Sequence, residues 1–180
     1  DSLHQNDSLL AWNGNAGAGG VGGMLAGDGS LGTKILNLGD LDGDGYSELA
    51  ISDLKAAEYA GRVYIISTSS DGGKAYQKAT TSYDDPDLAG AFMGWDIASA
   101  GDLNGDSLPE LLVGNPLYNM NEGAILVFDG KTLLGGKSYT TADALAILKS
   151  GDYAGMQTNQ LADLNGDTIP EVIVAGSHWS

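Results

Sequence analysis

The nine residues Asp40-Leu-Asp-Gly-Asp-Gly-Tyr-Ser-Glu48 recur twice further along the chain with the same order of residue types. The later copies are Asp102-Leu-Asn-Gly-Asp-Ser-Leu-Pro-Glu110 and Asp163-Leu-Asn-Gly-Asp-Thr-Ile-Pro-Glu171. Their first residues lie 62 and 61 positions apart, which indicates a repeated structural unit rather than scattered acidity. This repeat decides the fold, and the nine-residue phrase is its most specific part.

The oxygen-bearing side chains of each copy stand at positions 1, 3, 5 and 9, and position 4 is Gly. Alternate positions of a tight loop can direct their oxygens at one centre, and Gly lets the backbone turn there. Because carboxylates at such close range repel one another, the pattern favours a hard cation among them. Ca²⁺ fits best, since it accepts about six to eight oxygens in flexible geometry, including a main-chain carbonyl, here from position 7.

The sequence therefore predicts about three Ca²⁺ sites, one for each loop. The first loop would use Asp40, Asp42, Asp44, the carbonyl of Tyr46 and Glu48. The other two would use Asp102, Asn104, Asp106, Leu108 and Glu110, and Asp163, Asn165, Asp167, Ile169 and Glu171. We expect the first loop to bind most tightly, because Asp42 supplies a charge that Asn104 and Asn165 do not.

An EF-hand loop shares the opening pattern but requires a bidentate acid at position 12. Here position 12 is Ile51, Val113 or Val174. The acid stands at position 9 instead, and an apolar run follows at once, which indicates a strand. Each loop is thus predicted to join two strands rather than two helices. A plain Asp/Asn/Gly turn would explain one copy, but three copies in register favour metal binding.

The 180-residue chain carries a net charge of −16, and ten of its 24 acidic side chains lie in the three loops. The acidity is therefore largely local to the predicted metal sites. With only eight Lys and Arg and no basic cluster, binding to nucleic acid is not expected. Cys is absent, which excludes disulfides and zinc–thiolate sites. No apolar stretch reaches the length of a membrane span, so membrane insertion is not expected.

Short strands separated by turns follow the same order in each full unit. In the first unit, strands are predicted at residues 34–38, 49–52, 61–67 and 75–83. In the second unit, they are predicted at residues 95–100, 110–113, 123–128 and 144–149. Residues 143–149 would also suit a short helix, because Ala and Leu favour one, but register with the first unit favours a strand.

Both ends of the chain resemble parts of one further unit. Residues 1–30 match strands three and four, and residues 154–180 match strands one and two. Four strands in each repeat of this length predict the blades of a β-propeller, whereas a β-sandwich gives no reason for a repeated metal loop. We therefore predict an all-β fold of four-stranded antiparallel propeller blades, about three blade equivalents in all. Residues 31–92 and 93–153 would form one blade each, and residues 1–30 and 154–180 would form a split terminal blade.

These units resemble FG-GAP repeats, the blades of integrin α-subunit propellers and of many secreted bacterial proteins. The family's Phe-Gly corresponds to Leu31-Gly32, Met93-Gly94 and Ala154-Gly155. Its Gly-Ala-Pro corresponds to Ser52-Asp53, Gly114-Asn-Pro116 and Gly176-Ser-His178, and its third strand to Gly61-Arg-Val-Tyr-Ile-Ile66 and Gly123-Ala-Ile-Leu-Val-Phe128.

Two positions depart from the family pattern. Glu replaces the usual Asp at position 9, and Ser107 and Thr168 replace the usual Gly at position 6 of the later loops. Weaker binding by those two loops is the expected consequence.

The resemblance implies ligand surfaces on the face opposite the calcium loops, from residues 53–60, 84–87, 115–122 and 151–153. Tyr59, Tyr118 and Tyr153 are candidate contact residues, because Tyr offers a rigid apolar ring with a polar tip. The alternative is that these rings only cover the loop backbone. Trp12, Trp95 and Trp179 are expected to pack between blades.

Family propellers close with about seven blades, and propellers generally need about four to eight. Since this chain opens at Asp1 rather than Met, it looks processed or excised. We expect it to be a piece of a longer propeller or to complete its ring with copies of itself.

The predicted function is a calcium-stabilised extracellular module, secreted or at the cell surface, for adhesion or for binding a protein or glycan. The alternative is a structural subunit of an extracellular filament or surface assembly, and a domain of a secreted lyase or phospholipase is a third possibility. We predict no enzymatic activity, because the only histidines, His4 and His178, lie near the ends and no nucleophile elbow is present. Calcium loops of modest affinity suit the extracellular space, where calcium is abundant.

Overall fold

The computed structural model describes residues 30–71, 74–84, 90–134, 138–149, 153–160, 163–167 and 169–176. Within these ranges the regular structure is almost entirely β-strand, which confirms the predicted all-β class. The strands expected in residues 1–29 lie outside the described residues, as do Trp12 and Trp179.

The first sheet contains four antiparallel strands in chain order. They are β1 (Leu31–Gly39), β2 (Glu48–Asp53), β3 (Arg62–Asp71) and β4 (Lys74–Asp84). Strand β2 lies inside the sheet and is buried along most of its length, whereas β1 lies at an edge and exposes most of its side chains. The first metal loop joins β1 to β2, as predicted, and the residues on either side of it, Gly39 and Glu48, pair with each other across the two strands.

The second sheet repeats this arrangement with shorter strands. Its strands are β5 (Ile97–Ser99), β6 (Leu111–Asn115), β7 (Ala124–Phe128) and β9 (Ala146–Leu148). A two-residue strand, β8 (Ser138–Tyr139), lies between β7 and β9 in the chain but outside this sheet. Strand β9 pairs antiparallel with β7, so residues 146–148 form the predicted strand rather than a helix. Strand β8 was not predicted, and it pairs in parallel with β4 of the first sheet.

Two 3₁₀ turns flank β8. They span Gly130–Thr132 and Thr141–Asp143. The second begins with a capping box at its N-cap Thr140, in which Asp143 Oδ2 accepts a 2.9 Å hydrogen bond from Thr140 N. The turn ends at Asp143, and Ala144 after it has extended backbone.

A third sheet begins with β10 (Gln157–Gln160) and β11 (Val172–Ala175), which pair antiparallel across the third metal loop. Three sheets thus follow one another with the same strand order. This is the arrangement of consecutive propeller blades.

The main hydrophobic core lies between the first two sheets. Both sheets contribute to it, and Phe128 and Met93 are fully buried within it. Burial of a side chain such as Phe128 contributes about 1.5–3 kcal/mol to folding. The core residues are Leu38, Ala50, Val63, Ile65, Met93, Ile97, Leu111, Val113, Ala124, Leu126, Phe128, Leu133 and Tyr139.

The same contact joins each sheet to the next. Gly61 lies against the backbone of Met93, and Gly123 lies against the backbone of Ala154, so closely that a Cβ atom at either glycine would collide with it. The main chain adds hydrogen bonds there, from Met93 N to Ala60 O at 2.7 Å and from Ala154 N to Glu122 O at 3.4 Å. The glycine that opens the third strand of one unit therefore receives the Phe-Gly segment of the following unit.

Two single turns precede these glycines, α1 (Ala56–Tyr59) and α2 (Tyr118–Asn121). Their backbone is left-handed: φ is 52°, 56° and 66° at Ala57, Glu58 and Tyr59. In α2, Asn119, Met120 and Asn121 have φ of 48°, 58° and 75°. The sequence predicted no regular element in residues 53–60 and 115–122, and the structure gives both segments the same unusual conformation.

Candidate metal centre

The three nine-residue loops occupy equivalent places in the fold. Each joins the first strand of a sheet to the second: β1 to β2, β5 to β6, and β10 to β11. Because the three sheets have the same strand order, the loops lie at the same end of their sheets. All three predicted sites are therefore on one face, and the turns α1 and α2, which join second strands to third, are on the other.

Backbone amides fix the position-1 carboxylate of the first loop. Asp40 Oδ1 accepts from Gly43 N at 2.7 Å and from Asp44 N at 3.1 Å, and Asp40 Oδ2 accepts from Gly45 N at 2.9 Å. The amides come this close because Gly43 has a φ of 79°. Position 4 is equally left-handed in the later loops, with φ of 80° at Gly105 and 85° at Gly166.

The position-9 glutamates close their loops in the same way. The Oε2 atom of each accepts a hydrogen bond from the backbone N–H at position 2. The distances are 2.7 Å from Leu41 to Glu48, 2.5 Å from Leu103 to Glu110, and 2.6 Å from Leu164 to Glu171. The extra methylene of Glu, compared with the Asp usual in FG-GAP repeats, lets the carboxylate reach back across the loop.

Positions 3 and 5 also hold backbone amides. Asp42, Asn104 and Asn165 each accept through Oδ1 from the backbone N–H of position 5, at 2.8–3.1 Å. The position-5 aspartates accept from the N–H of position 7: Asp44 from Tyr46, Asp106 from Leu108, and Asp167 from Ile169. These position-3 and position-5 hydrogen bonds recur in all three loops, and the carbonyl role of Tyr46, Leu108 and Ile169 stays a prediction.

Carboxylate oxygens converge in the first and third loops. One oxygen each from Asp40, Asp42 and Glu48 lie within 4.8 Å of one another, and so do oxygens from Asp163, Asp167 and Glu171. Glu48 is buried, whereas Asp40 and Asp42 are exposed, so the cluster is open to solvent on one side. A cation could enter each cluster from that side.

The second loop carries a protein cation instead. Lys131 Nζ lies 3.0 Å from Asp106 Oδ2, and Asn104 Nδ2 donates to Glu110 Oε1 at 3.0 Å. The ion pair lowers the pKa of Asp106 and raises the pKa of Lys131, while burial raises the pKa of Glu110. Lys131 lies 21 residues after Glu110, in the 3₁₀ turn after β7, and nothing in the loop sequence points to it.

Position 6 is Gly in the first loop and Ser in the second, but the backbone is left-handed in both. Gly45 has a φ of 89°, and Ser107 takes the equivalent left-handed φ of 72° in the second loop. A left-handed conformation costs a residue with a Cβ about 1–2 kcal/mol. Thr168 lies outside the described residues.

The three candidate ligand-contact tyrosines differ in their surroundings. Tyr59 is 46% exposed and meets Phe92 edge to face, with 5.7 Å between ring centroids. Tyr118 is half-buried against the main core, and the ammonium of Lys149 lies 5.0 Å from its ring centroid. Tyr153 is half-buried and donates its N–H to Asn121 O at 3.1 Å. Their contact role stays a prediction, and residues 85–87 and 151–152 of the same predicted surface lie outside the described residues.

The sequence did not single out a polar bridge between the sheets. Asp96 Oδ1 lies 3.0 Å from Lys34 Nζ of the first sheet, and Asp96 Oδ2 accepts from Thr158 N of the third sheet at 2.7 Å. Lys34 and Asp96 each stand two residues after the Gly of the Phe-Gly position, so their shared repeat position was the available signal. Among the described residues, no helix has the length and apolar character required to cross a membrane.

Comparison with known proteins agrees with this architecture. The FG-GAP repeat family matches residues 32–66 and 93–128. Integrin alpha-2 from Bos taurus is 30% identical over 128 residues, 69% of this chain and 10% of the relative. Integrin alpha-IIb from Homo sapiens is 31% identical over 102 residues, 54% of this chain and 9% of the relative. The match thus spans about a tenth of the length of these integrin chains.

Proposed function

FG-GAP repeats like those of integrin α chains form the propeller blades of this protein, and from that premise we propose a calcium-stabilised extracellular adhesion module. The observation that carries the proposal is the convergence of three carboxylates within 4.8 Å in the first and third loops. Each module would bind its ligand on the face opposite these loops. The protein would be secreted or displayed at the cell surface and would have no enzymatic activity of its own.

The donor set of the loops suits Ca²⁺. Asp40, Asp42 and Glu48 offer hard oxygens, and the amide hydrogen bonds to Asp40 hold its carboxylate in place before any ion binds. Mg²⁺ demands a stricter octahedral geometry and releases its water reluctantly, so a set of this kind favours Ca²⁺. In addition to these side chains, the main-chain carbonyl of Tyr46 would serve as a ligand, and Leu108 and Ile169 would do the same in their loops.

Calorimetric titration with CaCl₂ tests the metal proposal. We expect the tightest site in the first loop, a weaker one in the third, and the weakest in the second, where Lys131 lies beside Asp106. The double variant Asp40→Ala/Asp163→Ala should lose the two tighter sites. Glu58→Ala, which removes an exposed acid on the opposite face, is the matched control and should titrate like the parent protein. Absence of any heat of calcium binding in the parent protein would refute the proposal.

The face opposite the loops supports the ligand-binding half of the proposal. The turns α1 and α2 present Tyr59 and Met120 to solvent, and Met120 is 95% exposed. An exposed apolar side chain on a rigid turn is a suitable anchor for a protein partner. Surface plasmon resonance against a panel of purified extracellular-matrix proteins should give calcium-dependent binding that Tyr59→Ala/Met120→Ala weakens. If this variant bound as well as the parent protein, Tyr59 and Met120 would not belong to the ligand surface.

Association with further blades is the second part of the partner proposal. Among the described residues, β11 pairs only with β10, and Ile173 of β11 is exposed. A two-stranded sheet is marginally stable by itself, and an unpaired strand edge recruits another strand. We therefore propose self-association or completion by other blades.

Light scattering distinguishes an adhesion module from a filament subunit. A mass that rises with concentration to a discrete oligomer fits the module, and open-ended growth fits the filament. A single compact monomer at every concentration would contradict both.

A further inference from the structure

A cleft of about 680 Å³ lies between β1, the segment just before β5 and the pair of strands β10 and β11. Its polar lining comes from Lys34 of β1, Asp96 just before β5, and Gln157, Thr158 and Asn159 of β10, and its other lining residues are Trp95, Met156, Ile173, Ala175 and Gly176. Its size is within the range of small-molecule sites, about 300–1,000 Å³. The cleft is separate from the metal loops, since it lies along the first strands rather than at their loop ends.

The charges of the cleft are already paired. Lys34 Nζ lies 3.0 Å from Asp96 Oδ1, and Thr158 N donates to Asp96 Oδ2 at 2.7 Å. Asp96 is buried, so both contacts hold it in one position. Among the lining residues that the structure describes, the two charged side chains, Lys34 and Asp96, pair with each other, and the net charge of −16 of the whole chain opposes an anionic ligand.

One side of the cleft is an aromatic ring fixed by its neighbour. Trp95 is 36% exposed, and its ring meets that of Phe92 edge to face, with centroids 6.0 Å apart and planes at 89°. Phe92 in turn contacts Tyr59 at 5.7 Å. A partly exposed indole that is held in place loses little conformational freedom when a ligand packs on it.

The other side offers amide groups. Gln157 and Asn159 are exposed and point to the same cleft, and each amide carries both donors and acceptors. Paired charges, two amides and an apolar aromatic surface together match a ligand that has a C–H face and many neutral hydroxyl groups. We propose that the cleft binds a neutral saccharide, with its C–H face on Trp95 and its hydroxyls on Gln157 and Asn159.

This inference deepens the proposed ligand-binding function by adding a second site with its own ligand class. It does not require calcium to contact the sugar. The protein surface described above would bind a macromolecule through Tyr59 and Met120, whereas the cleft would bind a sugar between the blades. The two sites can therefore fail independently in an experiment.

The first test is a glycan array probed with the labelled full chain in calcium-containing buffer. Neutral oligosaccharides should bind above background, and their sialylated or sulfated counterparts should bind less. The strongest neutral sugar is then titrated by calorimetry. Absence of neutral-glycan binding, or a preference for the acidic forms, would overturn the proposal.

Variants locate the site. Trp95→Ala should weaken the affinity for the neutral sugar by about tenfold, as expected for loss of an aromatic anchor. Gln157→Ala, at an exposed position, should also weaken it without unfolding the chain. Leu145→Ala, at an exposed position outside the cleft and the aromatic row, is the control and should bind the sugar like the parent protein. Parent-like affinity in both Trp95→Ala and Gln157→Ala would refute the site.

The calcium titration of the same sample separates this inference from the proposed function. Intact calcium binding together with no neutral-glycan binding overturns the cleft assignment alone. Loss of calcium binding with retained sugar binding overturns the calcium proposal alone.

Discussion

Lys131 makes the second loop chemically unlike the other two. Its ammonium lies 3.0 Å from Asp106 Oδ2, where a bound Ca²⁺ would compete with it. The Lys131 end of the pair is open to solvent, and water screens such a pair, so it should change an equilibrium constant only a few-fold.

We predict that Lys131→Met strengthens calcium binding at the second loop by about two- to fivefold, because it frees Asp106 and removes a nearby positive charge. Calorimetric titration of the variant measures this directly. Lys149→Met, which removes an ammonium beside Tyr118 on another part of the sheet, is the control and should leave all three affinities unchanged. Unchanged or weaker binding by Lys131→Met would show that Lys131 does not compete with the ion.

Asp53 and Asn115 end the second strands of the two complete sheets, and both are fully buried. Asp53 Oδ1 accepts hydrogen bonds from Ser30 Oγ and from Lys55 N. In the described part of the chain, Asp53 Oδ2 has no hydrogen-bond partner, and neither amide atom of Asn115 has one. A buried polar group without a partner costs about 1–3 kcal/mol.

We therefore predict opposite effects of alanine at these equivalent positions. Asp53→Ala should lower the free energy of unfolding by about 1–3 kcal/mol, since Ser30 Oγ loses its acceptor, whereas Lys55 N keeps its 2.8 Å hydrogen bond to Ser30 Oγ. Asn115→Ala should leave the stability unchanged or raise it by about 1 kcal/mol, because it removes an unsatisfied amide. Urea unfolding in calcium measures both, and a large loss with Asn115→Ala would reveal a partner for the amide.

At the scale of elements, the turns α1 and α2 are the least expected feature. Three consecutive residues in each have left-handed φ, although α1 contains Ala57, Glu58 and Tyr59, none of which favours that conformation. The main chain imposes it: Gly61 N donates to Ala56 O at 3.0 Å, and Phe92 N donates to Tyr59 O at 3.0 Å. The conformation depends on contact with the following sheet.

We predict that Met120→Gly maintains or raises the free energy of unfolding, by up to about 1 kcal/mol. Met120 has a left-handed φ of 58°, which is unfavourable for a residue with a Cβ and costs glycine nothing. The greater conformational entropy of glycine in the unfolded chain offsets only part of that gain. Met120 is almost wholly exposed, so little packing is lost. Ala142→Gly, in the right-handed 3₁₀ turn Thr141–Asp143, is the control and should be destabilising. Thermal unfolding of both variants measures whether each is more or less stable than the parent protein.

The predictable elements are those whose signal lies within a few residues or in the repeat itself. The metal loops could be predicted because their hydrogen bonds run between neighbours, such as Asp40 to Gly43. Strand β9 could be predicted because it occupies the place in its unit that β4 occupies in the first. Lys131, the Asp96 bridge and the left-handed turns could not, because each depends on a contact between distant parts of the chain. Strand β8 has only two residues and carries no periodicity to detect.

For the whole molecule, the main question is how much of the stability comes from calcium. If each site has a dissociation constant of ~0.1 mM and free calcium is ~1 mM, mass action adds ~1.4 kcal/mol per site. Three sites would add ~4 kcal/mol, against a total of about 5–15 kcal/mol for a typical domain. Calcium would then supply a large part of the stability.

We predict that excess chelator at low salt lowers the melting temperature clearly, without necessarily unfolding the chain. Loss of the ions removes the mass-action term and leaves the carboxylates of Asp40, Asp42 and Glu48 to repel one another. Scanning calorimetry measures the change, and added Mg²⁺ should restore little of it. A melting curve unaffected by the chelator would show that the loops are ordinary turns that do not depend on calcium.

The contact of Gly61 with Met93, repeated by Gly123 with Ala154, has a consequence for how such chains grow. Each unit carries the receiving glycine near its middle and the inserted segment at its start, so every unit is complementary to a copy of itself. Duplication of one whole unit would therefore generate two correctly matched junctions at once, with no new interface to evolve. The nearly constant spacing of 62 and 61 residues between the loops is what duplication of whole units would leave in the sequence.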